Sequence, residues 1–345
     1  MRKSEEQILV FLELHPSSSS KEIHDGCGFE HAYSTTKRVL VRLREMDYIV
    51  AEGQLKGTRY TLSPSYHVVR EIDLDSYFVQ EIDDRQITDS FNWNLIENIL
   101  PEIRLFSEEE AALLDDLQLQ YVENIKSLQE SQYKKELERL AIDLSWKSSQ
   151  IEGNTYSLLE TERLLKEKET AEGKTKDEAT MLLNHKDALD FILENPDYLS
   201  PLEVSKIEDV HSILIKELGV DRNIRSRRVG ISGTNYKPLD NEHQIREALG
   251  KMCDLVNSRE GVFDKAFLLL LLLSYIQAFN DGNKRTARIV SNACLIHYHH
   301  CPISFRTVDS IQYKMALLIF YEQNNISAFK KIFIDQFKFA VETYF

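Results

Sequence analysis

The sequence predicts a mainly α protein in two parts: a small α+β domain of three helices and a hairpin, then an all-helical domain interrupted by one short β-hairpin flap. Three observations carry that expectation. From residue 107 onward, apolar residues recur at helical spacing in ten successive segments. Strand or turn character is confined to 48–52, 58–63 and 227–240. At 345 residues the chain is also long for a single core.

Residues 4–14 (SEEQILVFLEL) place apolar side chains on one helical face and stop before Pro16. The serines Ser17–Ser20 then cap KEIHDGCG, a short second helix closed by glycine. A third helix over 33–46 turns Val39, Leu40, Leu43 and Met46 inward and shows Lys37, Arg38, Arg42 and Arg44 on another face. YIVAE and TRYTLS come next, separated by GQLKG. Three helices and a hairpin over 1–64 resemble a winged helix-turn-helix. By that resemblance the third helix enters the DNA major groove, and the Gly53–Gly57 loop, with Lys56 and nearby Arg59, is the wing. Nine basic and nine acidic side chains leave this stretch neutral, so one face alone is basic. Winged helices also dock proteins, and a basic helix face can simply be solvated. Both readings stand beside DNA binding.

Residues 65–106 read as a linker packing partly on the helical core; six acids fall within 71–84. Helical patterns then run over 107–128, 131–150, 158–169, 177–194, 201–218, 241–257, 264–276, 283–299, 308–324 and 326–344. Within them, VGIS and the glycines of 227–240 mark the strand-turn flap.

A net charge of −14 argues against a chain coated in basic surface, though not against one local basic face. The longest apolar run, 266–273, is far short of the roughly 20 residues that span a bilayer. Nothing at the N-terminus reads as a targeting signal. Cys27, Cys253, Cys294 and Cys301 have no framework spacing and read as free thiols in a reducing cytoplasm. The cluster Cys294, His297, His299, His300 and Cys301 fits no common zinc spacing, and a helix end with exposed histidines is the plainer reading.

The densest chemistry lies in SYIQAFNDGNKRTARIVSN, 274–292. Asn280 and Gly282 interrupt one helical run and Asn283 starts another, so a loop leads into a helix start whose backbone N–H groups are unpaired. Gly282 permits the positive φ that folds such a loop around an anion. Lys284, Arg285 and Arg288 flank the opening, and Arg285 and Arg288 share a helical face. Asp281 is a hard oxygen ligand suited to a phosphate-bound Mg²⁺. Phe279 is expected to plug the core and fix the loop. Gln277 stands four residues before the acid and cannot take a proton.

These residues resemble the Fic family signature, H-x-F-x-[DE]-G-N-[GK]-R-x-x-R. Phe279, Asp281, Gly282, Asn283, Lys284, Arg285 and Arg288 match it, and Gln277 replaces its histidine. Ser148, Glu152 and Gly153 in SSQIEGN resemble the family's inhibitory pattern [ST]-x-x-x-E-[GN]. Their position resembles the subclass with an N-terminal inhibitory helix, here near 145–160. The resemblance spans about 107–345. It implies an all-α core, with Val229, Gly230, Ile231, Ser232 and Gly233 as a flap that adds a target peptide as an extra strand. It implies that Gly282, Asn283, Lys284, Arg285 and Arg288 hold ATP, that Asp281 holds Mg²⁺, and that Asn283 and Arg285 are catalytic. It further implies that Glu152 pairs with Arg288 in the space of the γ-phosphate.

By the same resemblance the expected function is protein adenylyltransfer, moving AMP from ATP to a Ser, Thr or Tyr hydroxyl of a protein substrate. Gln277, at the position of the family's general base, opens two alternatives. One is a silent ATP-binding fold that signals to a DNA-bound winged helix in a transcription regulator. The other is phosphate transfer, because Asn283-Lys284-Arg285 is similar to the Doc branch. The expected partners are a protein substrate, DNA through 1–64, and a second copy of the chain as a homodimer. No membrane is expected, and the expected location is cytoplasmic.

Overall fold

The computed structural model describes residues 3–345, apart from the side chain of Lys56, which lies outside the described residues. The chain divides into two compact units between residues 71 and 72.

In the first unit, α1 (Lys3–Leu14) is followed by α2 (Ser20–Gly26) and α3 (Tyr33–Glu45). A reciprocal cap starts α2: the Ser19 hydroxyl accepts from the Glu22 N–H, and the Glu22 carboxylate accepts from the Ser19 N–H. Strands β1 (Ile49–Glu52) and β2 (Arg59–Leu62) pair antiparallel, Ile49 opposite Leu62 and Glu52 opposite Arg59. Ser18 adds a single bridge to Tyr60. Ile8, Leu9, Leu40, Leu43 and Ile49 form the core. Tyr66 on α4 (Pro64–Val69) joins them, so this unit runs past Pro64. Met46, expected on the buried stripe, comes after the last turn of α3 and is exposed.

The second unit contains α5 (Leu74–Phe78), α6 (Glu108–Lys126), α7 (Glu130–Ile151), α8 (Leu158–Glu167), α9 (Lys176–Glu194) and α10 (Val204–Leu214). It continues with α11 (Glu242–Ser258), α12 (Val262–Ile276), α13 (Asn283–His297), α14 (Ser310–Gln323) and α15 (Ser327–Tyr344). Helix α12 is apolar on every side because it is the centre: all residues from Lys265 to Ile276 are buried. Helix α13 packs along it, and the short loop 277–282 joins the two. Between α5 and α6 the chain is largely irregular but not loose. Phe91, Leu95, Leu100 and Ile103 are buried, and Phe91 stacks on Tyr275 of α12 at 4.8 Å between centroids.

The hairpin expected over 227–240 does not form. The sheet of the described residues is β1–β2 alone, and the flap region makes one isolated parallel bridge, Ser90 to Lys237. A strand persists only where its N–H and C=O groups find a partner, and Gly233 at φ 94° turns the chain before a second limb can return alongside the first. Among the described residues, no helix is long and apolar enough to cross a membrane.

Candidate functional site

The loop between α12 and α13 is closed by its own side chains. Asn283 Oδ1 accepts from the Phe279 N–H, and Asn283 Nδ2 donates to the Phe279 carbonyl, both at 2.8 Å. This paired clamp makes a tight turn of residues 279–283, and Gly282 takes φ 80°, ψ 0° to complete it. Phe279 is buried, as expected, and His211 of α10 lies flat against it at 3.6 Å. His211 Nε2 also meets the Asp281 carbonyl at 2.9 Å. Burial holds this imidazole below its ordinary pKa, against the two carbonyls it faces.

Among the described residues the first N–H groups of α13 have no backbone partner, and Thr286 is the first residue of that helix to donate back, to the Gly282 carbonyl at 2.8 Å. Around them stand three cations in different states. Arg285 is buried, donating to Asp281 Oδ2 at 3.0 Å and to the Leu214 carbonyl at 3.3 Å. Arg288 is wholly buried over the Tyr313 ring, 5.4 Å from its centroid. Its Nε donates to Ser148 Oγ at 2.8 Å, and its Nη2 donates to the Ser148 carbonyl at 3.0 Å and to Glu152 Oε1 at 2.7 Å. Lys284 reaches the other oxygen of Glu152 at 3.3 Å. Glu152 therefore bridges two of the three cations from the end of α7, and Gly153 leaves that helix at φ 100°. Burial pushes the Glu152 carboxyl up, but the Arg288 and Lys284 charges outweigh it and leave it below its ordinary value.

The lining fits an anion. Arg285 Nε and Arg288 Nη1 are buried without a partner among the described residues, donors left over after the internal bonds are made. His185 adds no positive charge: burial, then Arg288 and Arg285, hold its pKa well down. Asp281 accepts from the Gly282 N–H at 2.6 Å and from Arg285, and its side chain is 58% exposed. Carboxylate oxygens carry spare lone pairs in this state, so Asp281 remains a usable Mg²⁺ ligand when phosphate oxygens complete the shell.

Gln277 ends α12 in the left-handed region, at φ 52°, ψ 53°. Its Nε2 donates to the Ser274 carbonyl at 2.6 Å and lies 3.4 Å from the Tyr321 hydroxyl. The amide is thus anchored inward by its donor end. Arg225 holds the backbone here: its N–H donates to the Ala278 carbonyl, and its Nε donates to the Gln277 carbonyl at 2.6 Å. Its Nη1 reaches the Arg227 carbonyl at 2.7 Å, tying the signature loop to the flap.

Sequence reading missed Arg225, His211 and Tyr313. Arg225 sits among exposed arginines in NIRSRR and looks solvated, and only packing shows it buried. His211 shares a helical face with Ile207 and Leu214, a pattern that marked it as inward-facing.

The flap residues Val229 to Gly233 are irregular and end in a turn at 232–233, braced by Arg85, which donates to the Gly233 carbonyl at 3.3 Å and pairs with buried Glu322 at 3.0 Å. In the first unit, Lys37, Arg38 and Arg44 are exposed on α3. Arg42 pairs with buried Glu5 at 3.3 Å, and Lys37 lies over the Tyr33 ring. Lys56 falls on a side chain outside the described residues. Among the described residues, no three His, Cys, Asp or Glu side chains converge as a metal site. His297 instead faces Asp197 at 2.9 Å, and burial pushes the Cys294 thiol up to about 12.

Comparison with known proteins agrees with the loop geometry. Residues 201–295 match the Fic/DOC family, so the chain carries a Fic/DOC domain there. Over 176 residues the chain is 30% identical to the protein adenylyltransferase Fic of Nematostella vectensis; the match covers 48% of this chain and 40% of that relative's length. Fic-1 from C. elegans superposes with a TM-score of 0.58 at 18% identity, over 68% of this chain and 72% of that one. A Fic domain containing signaling protein from Bacteroides thetaiotaomicron does so at 0.57 and 20% identity, over 67% and 95%. At these identities the structural likeness speaks for the fold.

Proposed function

We propose that the second unit binds ATP and transfers AMP to a protein hydroxyl, and that Glu152 holds it off. The observation that carries this reading is the Glu152 carboxylate, seated on Arg288 and Lys284 beside the unpaired N–H groups of α13. A phosphate group needs the same donors, so carboxylate and nucleotide compete for one place. In the reaction, the acceptor oxygen attacks the α-phosphorus and pyrophosphate leaves. Arg285 and Arg288 hold the phosphate oxygens, and the α13 N–H groups fix their position. Mg²⁺ at Asp281 would neutralise phosphate charge when bound. Gln277 orients the acceptor hydroxyl through its free amide oxygen but does not take its proton, which passes to water or to a phosphate oxygen. Lacking a base typically slows such a step by about 10²–10⁴-fold.

Gln277 favours a second reading, in which the unit binds ATP without turnover and the first unit, as a winged helix, carries the response to DNA. Phosphate transfer in the manner of the Doc branch is the third reading, resting on Lys284. One experiment separates them. The full-length chain and its Gln277→His, Glu152→Gly and doubly substituted forms are incubated with Mg²⁺ and ATP labelled at the α or γ position. Label on protein from α-labelled ATP with the native glutamine supports AMP transfer. Label from γ-labelled ATP alone supports phosphate transfer, and label only in forms carrying Gln277→His supports the silent reading. Glu152→Gly that fails to bind ATP by calorimetry rejects all three.

A further inference from the structure

We propose that Glu178 is a positioning residue for Glu152: its carboxylate ties down the segment just past Glu152 and so sets how firmly Glu152 is held on Arg288. The proposal rests on reading Glu152 as the group that competes with ATP.

Glu152 stands at the end of α7, where Gly153 at φ 100° turns the chain away. The helix closes there through backbone bonds alone, from the Gly153 N–H to the Gln150 carbonyl and from the Asn154 N–H to the Ser149 carbonyl. Helix ends fray, so the seat of Glu152 is only as firm as whatever anchors residues 154–156.

That anchor is on α9. Glu178 Oε1 accepts from the Thr155 N–H at 2.9 Å and from the Thr155 hydroxyl at 2.6 Å. The main-chain carbonyl of Glu178 accepts from Asn154 Nδ2 at 2.8 Å, and Asn154 Oδ1 accepts from the Tyr156 N–H at 3.0 Å. Lys174 closes the far side, donating to the Thr155 carbonyl at 2.7 Å and to its hydroxyl oxygen at 3.1 Å. One residue of α9 thus grips the two residues that follow Gly153.

Helix capping does not account for this grip. Glu178 Oε2 by itself completes the cap of α9, accepting from the Thr175 N–H and hydroxyl, each at 2.9 Å, while Thr175 Oγ1 accepts from the Glu178 N–H at 3.2 Å. At the same cap position of α6 and α8, Glu110 and Glu160 take the N-cap N–H on Oε2 and, among the described residues, no hydrogen bond on Oε1. At Glu178 the second oxygen is committed to Thr155. Its donors, the Thr155 hydroxyl foremost, hold the Glu178 carboxyl down at about 2, so the brace is ionised near neutrality. Among the described residues, no hydrogen bond of Glu178 goes to Lys284, Arg285 or Arg288, so it acts on them through Glu152.

The test uses the full-length chain, with ATP and Mg²⁺ in calorimetry and hydrogen exchange read at 149–156. Glu178→Gln is the decisive substitution. Glutamine serves this cap as glutamate does, while an amide NH₂ facing Thr155 cannot accept from its N–H. The variant should bind ATP about tenfold tighter, the scale of one charge-assisted hydrogen bond lost from the competing state, and exchange faster at 149–156. Thr155→Val, which deletes only the hydroxyl, should shift both in the same direction by less, and it carries the test if Glu178→Gln does not fold. Thr175→Ala damages the cap but leaves Thr155 tied, so it should lower the melting temperature with ATP affinity unchanged. In a Glu152→Gly chain, adding Glu178→Gln should tighten ATP binding no further. A residue that only stabilised the fold would, when changed, weaken ATP binding or leave it as it was. Unchanged or weaker ATP binding by Glu178→Gln, equal tightening by Thr175→Ala, or further tightening in the Glu152→Gly chain overturns the proposal. Failure of Glu152→Gly itself to bind ATP rejects the nucleotide reading instead. Exchange then decides the brace alone, and native rates at 149–156 in Glu178→Gln overturn it.

Discussion

Glu152 and Arg288 lie 136 residues apart in the chain and meet at 2.7 Å, the arginine wholly buried and the glutamate side chain 18% exposed. Removing one member of such a pair leaves a buried charge uncompensated, which costs about 3 kcal/mol. Glu152→Gly should therefore lower the melting temperature in the absence of nucleotide. ATP should restore it, because the phosphate supplies the lost counter-charge. A variant that melts like the native chain and ignores ATP would show that the pair neither stabilises the unit nor guards a nucleotide site.

The pH dependence of this pair has a definite sign. Burial pushes the Glu152 carboxyl up, and Arg288 with Lys284 outweighs that to bring it below its ordinary 4.5. A carboxyl depressed in the folded state adds stability that is complete above its unfolded value and is lost as pH falls through the folded one. The stability difference between the native chain and Glu152→Gln should be constant near neutrality and shrink below about pH 4.5, measured by urea melts at stepped pH. A difference that stays flat to pH 3 would remove the charge from the account.

The Asn283 clamp separates donor from acceptor. Asn283→Asp keeps the acceptor for the Phe279 N–H but cannot donate to the Phe279 carbonyl, and it sets a buried negative charge in the turn. The expected cost is about 2 kcal/mol of stability, with weaker ATP binding, because the N–H groups of α13 lose their fixed geometry. Retained ATP affinity at native stability would show that the turn holds without the clamp.

Arg225 joins the loop to the flap through three carbonyls. Arg225→Met keeps much of the apolar stem and deletes two charge-assisted bonds, with an expected loss of about 2–4 kcal/mol. Hydrogen exchange should rise together at 227–233 and 277–283. A rise confined to one segment would mean the two are not coupled through this residue.

For the first unit, the basic face of α3 predicts salt-sensitive DNA binding by the full-length chain. Lys37→Ala with Arg38→Ala should shallow the slope of log affinity against log salt by about 2, near one unit for each lost phosphate contact. Arg42→Ala should reduce stability more than DNA affinity, because Arg42 is committed to Glu5. Gel shifts without salt dependence would assign this unit a protein partner instead.

Much of this was legible in the sequence because it depends on near neighbours. Helical periodicity located α12 and α13, and the residues between them announced a turn. Gly282 does take a positive φ, and Phe279 is buried. The flap was misjudged because VGIS has strand character, while pairing requires a partner that local sequence does not supply. Arg225 was missed for the same reason, since burial is a property of the assembled core.

The sequence alone determined the turn, the helix start and the donors around it, because capping and backbone preferences act over four or five residues. Only the tertiary structure decided which cations are occupied and by what. The packing of α7 against α13 brings Glu152 to Arg288 and Lys284, and the resulting burial turns what local sequence would leave as a surface ion pair into a buried one.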